Sequence, residues 1–313
     1  MNDSATISAI IPCYNHAHFL RECLKSLCEQ TFGDWEAIVV DDASPDSPEI
    51  LRVVAERADP RIKVVHNAIN RGIAASQNIG ARASLGRYLV FVDADDFLRP
   101  TYFEKTVSVL EAHADIEVVF TAFERFGAES GIIFDKAYKS RFGEVFAALR
   151  YWIPGAGPVM RRHVWERIGG FCEDRRLHGP QDRVFWISSI GVVPDQNVMQ
   201  LDEPLYCYRI HEASTSLNAQ KKAHYQYQVI AEHCKTILDR LMLRKKFIAA
   251  GHLVSVSSSF YHSRPWQGLW LSLRGFMYDP SNLKLRKAVV YYLKELTPPS
   301  VRRVYRSLKR GVS

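Results

Sequence analysis

The chain lacks most of the features that classify a sequence at sight. Its six cysteines, Cys13, Cys23, Cys28, Cys172, Cys207 and Cys234, form no CxxC pair and no tight metal-ligand spacing. They read as reduced, mostly buried thiols of a cytosolic protein, not as a zinc or redox centre. No apolar run approaches the ~20 residues that a membrane-spanning helix needs. The start, Met1-Asn2-Asp3-Ser4, has no basic stretch leading into an apolar one, so export is not expected. No GxGxxG follows the first apolar segment and no GxxxxGK[ST] occurs, which argues against a dinucleotide dehydrogenase and a P-loop enzyme. Gly155-Ala156-Gly157-Pro158 has the wrong context for either, because a short strand at Val159-Met160 and a helix over Arg162–Ile168 are expected after it.

What is present is a chain of 313 residues, 47% hydrophobic and 24% charged, enough for a large core. One large domain with a smaller appendage is expected, with the boundary between 1–218 and 219–313. Charge divides the chain in much the same way. Of its 41 Lys and Arg and 34 Asp and Glu, the last 79 residues hold 16 and three, about +13, leaving 25 and 31 before them, about −6. An acidic front and a basic tail imply different partners for the two regions.

The first 120 residues alternate strand and helix. Apolar, β-branched runs predict strands over Thr6–Ile11, Trp35–Val40, Ile62–His66 and Tyr88–Val92. Helical spacing predicts helices over His18–Glu29, Ser47–Ala58 and Ile73–Ser84. This order predicts an α/β fold with a doubly wound sheet, whose ligands bind beyond the carboxyl ends of the strands. Three of those ends carry Tyr14-Asn15, Asp41-Asp42 and Asp93-Ala94-Asp95-Asp96. The last concentrates three carboxylates in four positions, a repulsive arrangement usually relieved by a cation. Hard oxygen ligands suit Mg2+ or Mn2+. A solvated acidic turn before Pro100 is the plain alternative. Asn15 is expected to cap the helix that follows it.

Four segments in this order and spacing resemble the family 2 glycosyltransferases, inverting nucleotide-sugar enzymes with the GT-A fold. They are Ser8-Ala9-Ile10-Ile11-Pro12-Cys13-Tyr14-Asn15, Val39-Val40-Asp41-Asp42-Ala43-Ser44, Asn70-Arg71-Gly72 and Phe91-Val92-Asp93-Ala94-Asp95-Asp96. The segment from Gly157 to Gly169-Gly170-Phe171 is similar to the family's acceptor side, and Gln181-Asp182 falls where its catalytic acid follows. The resemblance covers roughly residues 5–215. It implies that Pro12, Tyr14, Asp42, Asn70, Asp93 and Arg209 bind the donor. Within that set Tyr14 flanks the base, Asp42 accepts from its N–H, Asp93 meets the ribose and Arg209 lies near the diphosphate. It also implies that Asp95 and His211 hold Mn2+ or Mg2+, and that Asp182 is the base that deprotonates the acceptor hydroxyl. Two positions depart from the pattern: Gln181 stands where many relatives have Glu, and Gln77 where they often carry Arg. The Gln-x-x-Arg-Trp signature of processive synthases is missing, so one sugar per encounter is expected.

Residues 219–313 read as helical: a long amphipathic stretch over Tyr225–Lys246, then Phe247–Phe260 and Pro265–Met277 as a pair, then Lys284–Leu296. Val301–Arg310 places Val301, Val304, Tyr305 and Leu308 on one face with five basic residues around it. Together 284–313 suit an anionic membrane surface, and packing on the core is the plain alternative. The expectation is therefore a cytoplasmic enzyme, peripheral on the inner face of the cell membrane. It would move a sugar from a UDP- or dTDP-type donor to a glycan or lipid-linked acceptor in bacterial surface polysaccharide assembly. Two rivals are a catalytically silent nucleotide-sugar-binding module and a nucleic-acid-binding protein using the basic tail. Nucleic acid is not an expected partner, since no recognised motif accompanies those charges.

Overall fold

The computed structural model describes residues 5–128, 130–133, 157–177, 181–211, 215–240, 244–256 and 264–296. The chain divides into two units, Met1–Ser214 and Thr215–Ser313.

The first unit is built on a nine-stranded mixed sheet, ordered β3-β2-β1-β4-β8-β6-β9-β5, with β7 paired to β6. β1 (Ile7–Cys13), β2 (Trp35–Asp41), β3 (Ile62–His66) and β4 (Tyr88–Phe91) run parallel. β2, Trp-Glu-Ala-Ile-Val-Val-Asp, is buried at every position, as a strand covered on both faces must be. One face, Ile7, Ala9, Ile11, Ala37, Val39 and Val90, packs against α1 (Ala17–Cys28), α2 (Ser47–Arg57) and α4 (Tyr102–Ala112). The alternate residues Ile10, Ile38, Val40, Leu89 and Phe91 pack against α3 (Ile73–Ala83), α5 (Arg162–Ile168) and α6 (Gln181–Ser189). The period of two along each strand thus sends successive side chains into two cores. Buried Ser8 and Glu36 are exceptions, and they satisfy one another: Ser8 Oγ donates to Glu36 at 2.8 Å, and Lys63 Nζ donates to the same carboxylate at 3.0 Å.

β6 (Val118–Gly127) runs parallel to β9 (Val198–Ile210), with irregular register between Thr121 and Phe123. β8 (Val159–Arg161) lies antiparallel between β4 and β6, and β7 spans Gly131–Ile133. The short β5 (Phe97–Leu98) lies antiparallel on β9, pairing Phe97 with Cys207 and Leu98 with Tyr206. That pairing sets the end of β9 beside the turn that follows β4.

The second unit is helical: α7 (Thr215–His233), α8 (Lys235–Arg240), α9 (Arg244–Val256), α10 (Pro265–Tyr278) and α11 (Leu283–Leu296). The single helix expected over Tyr225–Lys246 is instead broken at Cys234, and α9 begins at Arg244. Amphipathic spacing there reports the buried face of each piece and is blind to the break. Val256, Leu269, Leu271 and Tyr292 form one hydrophobic cluster of this unit, and Tyr292 Oη donates to the Val256 carbonyl at 3.0 Å. Asn282 Oδ1 accepts from the Leu285 N–H at 3.2 Å and caps α11. α10 leaves Trp266, Trp270, Leu273 and Met277 in solvent, the first and last at 71% and 79% exposure. The basic segment Val301–Arg310 lies outside the described residues.

Candidate active site

The carboxyl ends of β1 and β2 meet in register, Cys13 opposite Asp41, and the turns beyond them are tied by hydrogen bonds. Asn15 and Ala43 both adopt positive φ, 58° and 53°. The Asn15 N–H donates to Ser44 Oγ at 2.6 Å, and the Ala17 N–H donates to Asp46 Oδ2 at 2.9 Å. Asn15 therefore does not cap α1. His16 is the residue at the helix start, and the carboxylate that takes the helical N–H comes from the β2–α2 loop. Ser44 is likewise a link between loops and not a helix cap. Asp41, at the end of β2, accepts from the Ser44 N–H at 2.9 Å, from Ser47 Oγ and from His66 Nδ1 at 3.0 Å.

Asp42 is buried and accepts three hydrogen bonds, each 2.8 Å, from Asn67 Nδ2, the Arg71 N–H and the Gly72 N–H. Three of roughly four lone-pair sites are used, which leaves room for one further donor. Gly72 stands at φ 87°, a conformation that costs a side-chain-bearing residue. Asn70 accepts from Arg175 through its carbonyl at 2.9 Å and its Oδ1 at 3.0 Å, so this loop is held from both sides. Tyr14 is 47% exposed and Pro12 half-buried at the end of β1.

The turn after β4 is different in kind. Asp96 is buried, accepting from Tyr206 Oη at 2.7 Å and from the Arg209 N–H at 2.8 Å. Burial, reinforced by the charges of Asp95 and Asp93, still holds its carboxyl well above the usual range. Asp93 is pushed up to about 7, first by burial and then by Asp95 and Asp182. Asp95 Oδ2 lies 2.9 Å from His211 Nε2. Arg209 donates through Nε to the Asp95 carbonyl at 2.7 Å and pairs with Glu22. Its guanidinium sits over the rings of Phe19 at 4.8 Å and Phe126 at 4.4 Å. Arg209 thus holds the acidic turn from beneath.

Two triads of ligand atoms converge here, each within 4.8 Å: His16, Asp95 and His211, and Asp93, Asp95 and Asp96. Carboxylates that repel one another beside two imidazoles form a donor set that fits a divalent cation such as Mn2+ or Mg2+. Asp95 belongs to both triads.

Asp182 opens α6, is 5% exposed, and is pushed up to about 6 by burial. The Arg183 N–H donates to its Oδ1 at 2.9 Å. Its charge contributes to raising Asp93, so the two carboxylates are electrostatic neighbours. The path that orients α6 is packed: Phe185 stacks on Phe171 with ring centroids 4.5 Å apart, and Phe171 meets Phe91 edge-on at 4.8 Å. Asn78 on α3 clamps Phe171, accepting from its N–H at 2.8 Å and donating to its carbonyl at 2.9 Å. Gly170, at φ 80°, makes the approach possible, since a Cβ there would lie 2.6 Å from Asn78 Oδ1. The buried Oε1 atoms of Gln77 and Gln181 have no hydrogen-bond partner among the described residues.

The structure brings together Asp93, Asp95, Asp182, Arg209 and His211. A second group, Asp42 with Asn70, is one loop system at the end of β2. Three residues went unnoticed in the sequence. His16 carries no local signal, lying in an ordinary turn. Tyr206 reads as a sheet aromatic, and Glu22 as a surface helix acid.

A strand-end site on a mixed sheet of this order is the architecture of GT-A glycosyltransferases. Staphylococcus aureus TarS 1–349, solved in complex with UDP, superposes with a TM-score of 0.66 at 18% identity, over 92% of this chain and 88% of that one. The family model "Glycosyl transferase family 2" matches residues 8–161. The uncharacterized glycosyltransferase EpsJ of Bacillus subtilis is 32% identical over 250 residues, 72% of this chain and 68% of EpsJ. The Escherichia coli protein WfgD, named UDP-Glc:alpha-D-GlcNAc-diphosphoundecaprenol beta-1,3-glucosyltransferase, is 24% identical over 263 residues, 80% of this chain and 94% of WfgD. The chain belongs to glycosyltransferase family 2, and is a glycosyltransferase.

Proposed function

We propose that this protein is a metal-dependent, inverting glycosyltransferase of bacterial surface polysaccharide assembly. It would transfer one sugar from a UDP- or dTDP-linked donor to a hydroxyl of a glycan or lipid-linked glycan. The observation that carries the reading is the convergence of the acidic turn after β4 with Asp182, a buried carboxylate pushed up to about 6. TarS holds UDP in its complex and WfgD is named for UDP-Glc and a diphosphoundecaprenol acceptor, which supports the uridine donor and the lipid-linked acceptor.

In this reading Tyr14 stacks beside the base, next to Pro12, and Asp42 uses its remaining lone pair for the base N–H. Asn70 lines the same loop, and Asp93 accepts from the ribose. Arg209 holds the Asp95 carbonyl and so fixes the turn. A divalent cation held by Asp95 and His211 would supply positive charge where the leaving diphosphate develops its negative charge. Asp182 takes the proton of the acceptor hydroxyl as that oxygen forms its bond to the anomeric carbon. The bond to the nucleotide breaks on the opposite face, and configuration inverts. A carboxyl near 6 is poised for this work at neutral pH, being mostly ionised yet more basic than an exposed aspartate.

The location we propose is cytoplasmic, peripheral on the inner face of the membrane. No described helix is long and apolar enough to cross a bilayer. The exposed Trp266, Trp270 and Met277 of α10 and the basic Lys284, Arg286 and Lys287 of α11 suit an anionic lipid surface. Thermal stabilisation by UDP-, dTDP- and GDP-sugars with Mn2+, followed by transfer assays with and without EDTA, tests the proposal. Saturable stabilisation by a nucleotide sugar and EDTA-sensitive transfer are expected. Transfer that persists undiminished in EDTA overturns the metal assignment.

A further inference from the structure

We infer that His16 is a third protein ligand to the cation, completing a two-imidazole, one-carboxylate set with His211 and Asp95 that favours Mn2+ over Mg2+. The inference rests on the metal-dependent reading of the site and adds a residue and a selectivity to it.

The ligand atoms of His16, Asp95 and His211 all lie within 4.8 Å of one another, although 195 residues of chain separate the two histidines. The His211 and Asp95 atoms are 2.9 Å apart, a spacing that neighbouring ligands of one ion adopt. The imidazoles of His16 and His211 face each other edge-on with centroids 5.7 Å apart, and Phe19 lies beside both, at 5.7 Å and 5.0 Å. Neither ring nitrogen of His16 has a hydrogen-bond partner among the described residues, although the ring is half-buried.

The turn that carries His16 is fixed on both sides by another loop. Ser44 holds the N–H before it and Asp46 the N–H after it, at 2.6 Å and 2.9 Å. Asp46 thereby does the capping that the helix-start position would otherwise do, and the His16 side chain makes no capping bond. A half-buried imidazole held by ring contacts, with no hydrogen bond to either nitrogen among the described residues, is what a metal ligand looks like before its metal arrives. The alternative all-carboxylate set is weaker, because both oxygens of Asp96 are already engaged by Tyr206 Oη and the Arg209 N–H. Asp95 therefore shares its ion with the histidine side. Two nitrogen donors discriminate between metals: imidazole suits transition ions, whereas Mg2+ prefers oxygen and retains its waters.

Pulsed electron paramagnetic resonance of Mn2+ bound to the full-length protein, with and without UDP, reads nitrogen ligands directly. The wild type is expected to show couplings from two imidazole nitrogens, and His16→Ala from one. His16→Ala should also weaken Mn2+ binding by about 10- to 100-fold, at least the loss that outer-shell residues produce. Mg2+ binding should fall much less, so the Mn2+/Mg2+ preference shrinks. One nitrogen or none in the wild-type spectrum overturns the inference without any variant, as does a His16→Ala protein with unchanged affinity and nitrogen count. In either outcome EDTA-sensitive transfer by the wild type leaves the proposed function standing. Transfer indifferent to EDTA removes both.

Discussion

Two acidic strand ends flank β1 in this molecule and are built on opposite principles. At the end of β2, Asp41 and Asp42 are well supplied with partners: hydroxyl, amide and backbone donors surround them, and Asp42 takes three hydrogen bonds of 2.8 Å. At the end of β4, Asp93 and Asp96 are raised by burial and by their neighbours' charge, and Asp95 faces an imidazole. The first pair holds loops in place using only groups of the chain. The second concentrates carboxylates whose mutual repulsion a cation would relieve. Carboxylates at the ends of parallel strands can thus organise a pocket or favour a cation, depending on which donors the surrounding loops supply.

The difference is open to attack at its strongest point. Asp95→Ala removes the residue common to both ligand triads, and transfer should fall by on the order of 10³-fold or more, with donor affinity lost in parallel. The melting temperature should hold or rise, because a repulsive charge is gone, and the Asp93 carboxyl should titrate below about 7. Activity assays, calorimetry and NMR titration check the three parts, and a collapsed fold in this variant would place Asp95 among the structural carboxylates.

Asp182→Asn keeps the shape and removes the base, so kcat should drop roughly 10²- to 10⁴-fold while donor binding is unchanged. Its effect on stability has a definite sign. The folded carboxyl at about 6 lies above its ordinary 3.8, so ionisation opposes folding. The opposition is absent below about 4 and complete above about 6. Denaturant titration should therefore find the Asn variant more stable than wild type at pH 8, by about 3 kcal/mol, and equal to it at pH 3.5.

Asp42→Ala should show the converse pattern. Three donors lose their acceptor, so stability should fall by on the order of 3 kcal/mol, detectable as a lowered melting temperature even without ligand. Donor affinity should fall while Mn2+ binding in the absence of nucleotide persists. If Asp42→Ala and Asp95→Ala gave the same signature, the contrast between the two strand ends would be broken.

The smallest expected effect is a pH profile. The acid limb of kcat/KM should bend near 6 as Asp182 takes up a proton, with activity lost as pH falls. Asp182→Asn should abolish that bend in its residual activity.

Much of this was legible in the chain. The apolar runs of β1, β2 and β4 and the helical spacing of α1–α3 identified the parallel half of the sheet, because a period of two or 3.6 is a local signal. The acidic strand ends were equally visible, as were the family motifs spread along the first 215 residues. Less was legible where the chain's own ties decide. Asn15 looked like a helix cap, yet Asp46, 31 residues on, takes the helix N–H. Arg209 was expected near the diphosphate, and its packing on two phenylalanine rings against Glu22 had no signal in the sequence.

By itself the sequence determined the order of strands and helices, the family, and which strand ends carry charge, since each depends on residues a few positions apart. Only the tertiary structure decided which carboxylates are held by donors of the chain and which are raised by burial, and that His16 and His211 meet at Asp95. The short β5 strand pairs with β9 and folds the end of that strand over the turn after β4. Such a meeting depends on register between segments more than a hundred residues apart, and no local pattern encodes it.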